Sequence, residues 1–307
     1  MNIASNLALN ANVKPVEATA KPTLGTMMFN DFANLIYELS GIRFQENKSY
    51  FLASKLYNRC QALGLGSFEE YLTYLKGSSA RMEYGHLVDE ITINETFFYR
   101  HQPQLEAFQH EILTPLNFIR KSQRSQKLRI WSCAASTGDE AYTLALLIKS
   151  MGLGLDPQIE IIGTDICHDA LVKARAGAYK KYAIRNVPAD QLAKYFRHDI
   201  ATDTYYLNDE IKNMVKFQEC NLMDSTRVSA LGKFDIAVCR NVLIYFDEPS
   251  KEKAILNIYN NLKEDGFLML GHSENIYAQR HLFKQDKGRQ AAIAYTKMPV
   301  GTPKSAV

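Results

Sequence analysis

The spacing of apolar residues predicts helices in the first part of the chain. Over residues 29–81, apolar side chains recur every three or four positions, as expected of amphipathic helices. A second such stripe covers residues 50–63, where Gly64 ends it, and Ser67 is placed to cap a third helix. The pattern predicts a small N-terminal helical domain over residues 27–90.

From residue 128 onward, short apolar runs alternate with helical segments. This alternation is typical of an α/β fold with a parallel, doubly wound sheet, here expected over residues 128–298. Residues 91–127 read as a linker and a helix. The predicted strands cover residues 128–134, 159–166, 234–242, 267–271 and 291–297, and the helices between them cover residues 139–150, about 168–176 and about 251–262.

Residues 183–221 depart from the alternation. Residues 188–196 look helical, whereas residues 204–207 and 215–220 look like short strands bordered by turn-forming Asp and Asn. We interpret this region as a lobe inserted in the sheet domain. Residues 1–26 and 299–307 lack periodicity and are predicted to be mobile tails.

Composition excludes several classes of protein. The chain has 307 residues, 46% of them apolar, and a net charge of +3, too small to argue for nucleic acid. Its five cysteines are dispersed, so no metal site is predicted and a reducing compartment is expected. Neither a secretory signal nor an apolar run long enough for a membrane span is visible, so the protein is expected in the cytoplasm.

The segment from Trp131 to Ala145 predicts a strand, a turn of small residues and a helix. Ligands bind at such turns in doubly wound sheets. Because Gly138 is the only glycine, the glycine pattern of a pyrophosphate site is missing. Asp139 and Glu140 at the helix start suit a cationic ligand, such as an ammonium or a sulfonium; equally, they could only complement the helix dipole.

Further polar residues fall at the ends of predicted strands. Asp165 ends the second strand and could accept hydrogen bonds from ribose hydroxyls, or could cap the following helix. Arg240, Asn241 and Tyr245 follow the fourth strand at the same edge of the sheet. A buried unpaired Arg is costly, which argues for a role for Arg240, whereas Tyr245 could simply pack with its hydroxyl at the surface.

The linker between the two predicted domains interleaves polar and aromatic residues. Asn94, Thr96 and Arg100 alternate with Phe97, Phe98 and Tyr99. A linker packed over a cleft would bury the aromatic rings and direct the polar groups inward. Asn94 and Thr96 could also act only as caps for the next helix.

Together these segments resemble the CheR family of chemotaxis receptor methyltransferases. The matching strings occur in family order and span about residues 29–297, nearly the whole chain; RNVLIYF (residues 240–246) and GHSEN (residues 271–275) are the most specific. The other strings are residues 94–100, 131–143 and 163–166.

The resemblance implies an N-terminal all-helical domain, a Rossmann-like class I methyltransferase sheet and a small antiparallel β subdomain inserted in it. It implies S-adenosylmethionine as cofactor and S-adenosylhomocysteine as product, with Glu140 near the methionine end and Asp165 holding the ribose. The family's cofactor contacts carry over onto Asn94, Thr96, Arg100, Glu140, Asp165, Asn221, Leu222, Arg240 and Asn241.

The resemblance also implies the reaction, which is methylation of glutamate side chains on the cytoplasmic helical domain of chemoreceptors. Because a carboxylate is ionised at neutral pH, such an enzyme needs no strong general base and no metal. Arg100 and Tyr245 are the candidates for orienting the glutamate, with Arg100 shared with the cofactor. A monomer is expected.

Two departures from the family pattern concern the partner. The helix that docks on receptors maps to residues 50–63, where only Lys48, Lys55 and Arg59 are basic, so this face is weaker than in some relatives. Relatives that bind a receptor's C-terminal tail carry a Gly-x-Gly loop, and residues 197–203 contain no glycine. Tethering to a tail peptide is therefore doubtful.

Three alternatives were weighed. A base amino-methyltransferase favours an Asn/Asp-Pro-Pro-Tyr turn, where this chain has Arg240-Asn-Val-Leu, and a cytosine C5 enzyme would need Cys239 as nucleophile. The missing glycines disfavour a nicotinamide-dependent oxidoreductase. A non-catalytic cofactor-binding module stays open, although the retained polar residues favour an enzyme.

Overall fold

The computed structural model describes residues 23–78, 80–123, 127–153, 158–285 and 293–299. Most of both predicted tails, residues 1–22 and 300–307, lies outside these ranges. Thr26, which was assigned to the first tail, is already the first residue of a helix.

Four helices form the N-terminal domain. They are α1 (Thr26–Ser40), α2 (Ser49–Leu63), α3 (Phe68–Leu75) and α4 (Ala80–Ile91). The Ser67 side chain accepts a hydrogen bond from the Glu70 N–H, as expected of the cap of α3. The fourth helix had not been singled out, because charged residues interrupt its apolar stripe. The apolar faces of the helices bury a common core that includes Phe32, Leu56 and Tyr71.

A helical connector leads from this domain to the sheet. It consists of α5 (Gln102–Ala107), a π-helical segment (Phe108–Leu113) and α6 (Thr114–Ser122). No helix in the described residues is both long enough and apolar enough to cross a membrane.

The main sheet has seven strands, and the predicted parallel arrangement is confirmed for four of the five strands expected in it; the last of these, expected over residues 291–297, is antiparallel. In chain order they are β1 (Lys127–Cys133), β2 (Gln158–Asp165), β6 (Val215–Glu219), β7 (Phe234–Cys239), β8 (Leu262–Leu270), β9 (Phe283–Gln285) and β10 (Ala294–Lys297). Their order across the sheet is β6-β2-β1-β7-β8-β10-β9. Strand β10 pairs antiparallel with both β8 and β9, and β9 had not been predicted.

Helices cover both faces of the sheet, so the Rossmann-like α/β fold is confirmed. They are α7 (Asp139–Ser150), α8 (His168–Ala176), α12 (Ser225–Ala230) and α13 (Glu248–Asn261). The central strands are buried on both sides, as parallel strands require. Trp131 stacks on Phe234 and donates its indole N–H to Thr164.

The inserted lobe is a second, antiparallel sheet, and its predicted bounds were wrong. It contains β3 (Ala178–Tyr179), β4 (Phe196–Asp199) and β5 (Thr204–Leu207) in the order β3-β5-β4, with the short helices α9 (Lys181–Ile184), α10 (Ala189–Tyr195) and α11 (Asp209–Lys212). The lobe therefore starts before residue 183.

Strand β6, placed in the lobe by its sequence, instead pairs parallel with β2 in the main sheet. Its residues alternate between apolar and polar because it is an edge strand with one solvated face. That alternation is also typical of a small antiparallel sheet, which is why the sequence was misread.

Asp235 on β7 is fully buried and connects three elements. Its carboxylate accepts from the Arg120 guanidinium at 2.6 Å, from the Lys263 ammonium at 2.9 Å and from the Arg129 N–H at 2.7 Å. These bonds tie α6 and β8 to the start of β1 and β7. A buried carboxylate is tolerated here because every partner is a cation or a backbone donor.

We expect Asp235→Ala to lower the free energy of unfolding by about 3–5 kcal/mol, because it leaves the Arg120 charge buried without this partner. Urea denaturation measures the change. Asp265, a half-exposed partner of the same Arg120, is the matched position, and Asp265→Ala should cost clearly less. Equal losses for the two variants would contradict this account.

Candidate functional site

A cavity of about 540 Å³ opens at the carboxyl ends of β1, β2, β6 and β7. Its walls also include the linker after α4 and the segment between α1 and α2. Ten of the residues proposed from the sequence line this one cavity, whereas Asp139 does not: Asn94, Thr96, Arg100, Glu140, Asp165, Asn221, Leu222, Arg240, Asn241 and Tyr245.

The turn after β1 has an unusual backbone. Ala134, Ser136 and Gly138 all have positive φ, at 65°, 50° and 88°. At Gly138 a Cβ would lie 3.0 Å from the side chains of both Ala174 and Phe217, so only glycine fits both the conformation and the space. The tight turn places Ala134, Ala135 and Ser136 on the cavity wall, where small side chains let a ligand approach the backbone.

Asp165 ends β2 and faces the same turn. One carboxylate oxygen accepts from the Ser136 N–H at 2.7 Å and the other from the Cys167 N–H at 2.8 Å. Burial raises the pKa of Asp165, while these backbone donors lower it. Because the Ile166 N–H also lowers the pKa of Asp165, three backbone donors engage the four lone-pair positions of the carboxylate, and one position is left for a ligand.

Glu140, in the first turn of α7, is held at both carboxylate oxygens. Ser132 donates to one at 2.8 Å, and the Arg240 guanidinium donates to the other at 3.2 Å. Burial raises the pKa of Glu140, and the Arg240 charge opposes this shift. The structure thus places an acid on the cavity wall with a preset orientation.

Arg240 is buried and bonded in three directions. Besides Glu140, its guanidinium donates to the Gln104 side chain at 3.0 Å and to the Arg100 carbonyl at 2.8 Å. Arg240 therefore holds the linker against the sheet edge. Gln104, fully buried and also bonded to the Leu270 carbonyl, had not been identified from the sequence; an amide in the first turn of a helix gives no distinctive signal.

The amides of Asn94 and Asn221 are also engaged within the protein. Asn94 accepts from the Ser136 hydroxyl at 3.1 Å and donates to Cys167. Asn221 donates to the Leu39 carbonyl at 2.8 Å and accepts from the Met223 N–H. These bonds shape the cavity by joining the linker to the β1 turn and α1 to the loop after β6.

The helical domain closes the cavity through the turn that follows β7. Tyr37 donates to Asp247 at 3.2 Å, the Arg43 N–H donates to the Tyr245 carbonyl at 3.2 Å, and Ile42 pairs with Phe246. Tyr245 is thus held by contacts from a domain distant in sequence.

Arg100 and Tyr245 are polar side chains of the site that keep unused donors. The Arg100 guanidinium donates to the Glu95 carbonyl at 3.1 Å, and the Tyr245 hydroxyl has no hydrogen-bond partner among the described residues. Burial raises the pKa of Tyr245, and the nearby Arg100 charge lowers it. Both groups can therefore donate to a ligand that enters the cavity.

Asp139 precedes Glu140 but has a different environment. Its side chain is fully buried, and only Thr137 donates to it, at 2.6 Å; Oδ1 has no partner among the described residues. Burial raises the pKa of Asp139 to about 6. The two acids that the sequence presents as a pair are therefore separated: Glu140 faces the cavity and Asp139 faces the protein interior.

Comparison with known proteins identifies the family. Residues 94–292 match the family described as "CheR methyltransferase, SAM binding domain", and residues 27–92 match "CheR methyltransferase, all-alpha domain". The chain belongs to the CheR methyltransferase family. It is a methyltransferase with S-adenosylmethionine as cofactor, and its sheet is that of the class I methyltransferases.

Relatives similar over most of their length support this assignment. The chain is 34% identical over 268 residues to "Chemotaxis protein methyltransferase 2" of Vibrio cholerae, covering 87% of this chain and 92% of the relative. It is 32% identical to "Chemotaxis protein methyltransferase" of Borreliella burgdorferi, covering 81% and 88%, and 32% identical to the protein of that name from Escherichia coli, covering 85% and 88%.

The site residues of this chain fit the cofactor. The positive-φ turn at residues 134–138 admits close approach of a ligand, and Asp165 offers a free lone pair to a diol. Glu140 supplies a negative charge for a ligand with a sulfonium and an ammonium. A phosphate-bearing dinucleotide would be repelled by the same acid.

The buried Asp139 should make stability depend on pH. Its pKa in the folded state, about 6, lies above the ordinary 3.8, so its contribution to stability falls as pH rises through this window. Relative to the parent protein, the free energy of unfolding of Asp139→Asn should rise by about 2 kcal/mol between pH 4.5 and pH 7.5.

Urea denaturation at the two pH values measures this difference. Asp169→Asn, at an exposed acid in the first turn of α8, is the control and should show little change. A difference between Asp139→Asn and the parent that stays constant with pH would refute the assignment.

Proposed function

We propose that this methyltransferase esterifies glutamate side chains on the cytoplasmic helical domain of chemotaxis receptors. The observation that carries the proposal is the position of Arg100 and Tyr245. Two side chains with free donor capacity line the same cavity as the acids that fit the cofactor. The relatives are chemotaxis protein methyltransferases by name, which agrees with this substrate.

A carboxylate acceptor matches the chemistry of the cavity wall. Glutamate is ionised at neutral pH, so the acceptor needs no general base. A guanidinium and a phenol hydroxyl can donate to one carboxylate oxygen and leave the other free to attack. Arg100 and Tyr245 thus orient the acceptor, and Arg100 also offsets its negative charge.

When bound, S-adenosylmethionine supplies a methyl group on a positively charged sulfur. Glu140, fixed by Ser132 and Arg240, would hold this cationic end, and Asp165, fixed by the Ser136 N–H, would hold the ribose. Because the transfer consumes one positive and one negative charge, exclusion of water favours it. The helical domain and the linker provide that exclusion by closing the cavity.

The other proposed cofactor contacts divide into two groups. Thr96 and Asn241 can contact the cofactor directly, since no hydrogen bond within the described residues occupies their side chains, and Leu222 offers an apolar contact on the cavity wall. Arg240, Asn94 and Asn221 are engaged within the protein, so they contribute by holding Glu140 and the cavity walls in place.

In the proposed receptor contact, α2 is the docking helix, and its basic residues contribute little net charge. Arg59 pairs with both oxygens of the buried Glu83, and Lys55 pairs with Glu90, so both cations are neutralised by α4. Tyr50, 69% exposed, and Tyr57 dominate the outer face of α2. A monomer that docks on the receptor helices through this face, without tail-peptide tethering, is the proposed assembly.

We expect the protein to transfer labelled methyl groups to receptor-enriched membranes as base-labile esters. Tyr245→Phe and Arg100→Ala should each lower kcat/KM for the receptor by about tenfold to a hundredfold, because each removes a donor to the acceptor. Release of volatile label in base measures the ester.

Two exposed positions provide matched controls for this assay. Tyr277→Phe and Arg280→Ala should methylate at the parental rate. Label that is stable to base, or label on RNA, would contradict the proposed substrate. Full turnover by both Tyr245→Phe and Arg100→Ala would contradict only the roles of those two residues.

Asp165→Asn should weaken binding of S-adenosylhomocysteine at least about tenfold, since it removes a charged acceptor and leaves an amide N–H against a backbone donor. Titration calorimetry measures the Kd. The exposed Asp209→Asn is the control. An unchanged Kd for Asp165→Asn would exclude Asp165 from the cofactor site.

A further inference from the structure

Glu274 accepts four hydrogen bonds from backbone N–H groups. One oxygen accepts from Asn241 at 2.7 Å and from Gly271 at 2.8 Å, and the other accepts from Val242 and Leu243, both at 2.8 Å. The residue is 94% buried. It lies in the string GHSEN, which the sequence marked as specific without suggesting a role.

The conformation of the turn after β7 explains this convergence. Asn241 has a φ of 61°, and Val242 returns to the right-handed region, so successive N–H groups point to one side. Such a sequence of conformations forms an anion-binding concavity. In this chain the concavity is filled by the protein's own carboxylate, so the acceptor carboxylate cannot bind there.

Gly271 is required for the close approach of Glu274. A Cβ on Gly271 would lie 2.5 Å from the Glu274 carboxylate and 3.1 Å from the Asn241 nitrogen. The glycine at the end of β8 and the acid three residues later therefore form one unit, which is bonded to the turn that carries Asn241 and leads to Tyr245.

The turn leads directly to the proposed acceptor site. Leu243 begins a short helical turn, Leu243–Tyr245, and the Tyr245 N–H donates to the Val242 carbonyl. The cofactor acids, by contrast, belong to other segments: Glu140 to α7 and Asp165 to β2. A change at Glu274 therefore reaches the acceptor side of the cavity first.

We infer that Glu274 is a positioning residue that sets the orientation of Tyr245 toward the acceptor. It does so by accepting hydrogen bonds from the backbone N–H groups of the turn after β7. It acts through the backbone and does not contact the reacting atoms. That the acceptor is a receptor glutamate rests on the proposed function. The hydrogen bonds between Glu274 and the turn are independent of that proposal.

The test compares Glu274→Gln with Glu252→Gln, at an exposed position on α13. The Gln side chain keeps the size of Glu, but its NH₂ would face two N–H donors, so half of the bonds are lost. We expect faster amide hydrogen exchange at residues 241–243 and a loss of kcat/KM for the receptor of about tenfold to a hundredfold. The Kd for S-adenosylhomocysteine should rise much less than kcat/KM falls, because Asn241 lies on the turn but Glu140 and Asp165, the two proposed cofactor acids, belong to other segments.

Gly271→Ala should disrupt the hydrogen bonds between Glu274 and the turn in a second way. It leaves the carboxylate chemically intact and displaces it by steric contact, so it should give the same exchange pattern and the same split between turnover and cofactor affinity. If Glu274→Gln does not fold, Gly271→Ala alone decides the question by these readouts.

The inference and the proposed function can fail separately. Parental turnover in Glu274→Gln, or unchanged exchange at residues 241–243, would overturn the role of Glu274. A loss of cofactor affinity as large as the loss of turnover would also overturn it, because that is the result of a general structural defect. If the parent protein forms no base-labile ester on receptors, the proposed function fails, while the exchange and cofactor measurements still test Glu274.

Discussion

The buried guanidinium of Arg240 is the interaction on which the site depends. It extends from the end of β7 and bonds to Glu140 on α7, to Gln104 on α5 and to the backbone of the linker at Arg100. A guanidinium buried to this extent is stable only when its donors are satisfied, so the three partners must assemble together. Folding of the linker over the sheet and formation of an oriented acid in the cavity are therefore one event.

The cavity combines two kinds of polar group. Glu140, Arg240, Asn94 and Asn221 are held by the protein itself, so their positions are set before any ligand binds. Arg100 and Tyr245 keep unused donors that face the cavity. Preset groups on one side and free donors on the other suit an enzyme that must hold its cofactor firmly and accept a side chain from a large partner.

The helical domain contributes to the site. Its first helix and the following segment bond to Asn221 and to the Tyr245 carbonyl, two residues of the cavity wall, and to Asp247 just beyond it. Its basic residues Lys55 and Arg59 stabilise the domain internally by pairing with α4. The composition of a surface helix therefore does not predict how much charge it presents to a partner, because acidic residues of a neighbouring helix can neutralise its basic residues.

Periodicity along the chain was sufficient to predict the helical domain and most of the parallel strands, because these depend on local burial patterns. The residues at the strand ends followed from the meeting of parallel strands at one edge, whereas Asn221 and Leu222 came from the family resemblance alone. The sheet to which β6 belongs could not be predicted, since an edge strand and a strand of a small antiparallel sheet share one alternating pattern. Likewise, Asp139 and Glu140 are equivalent in sequence, and only packing buries one and aims the other at the cavity. Arg240 bonds to Glu140 and Gln104, and Glu274 bonds to Asn241, and each of these partners lies more than thirty residues away in the chain. Such contacts follow from how the elements pack in three dimensions, which no local pattern records.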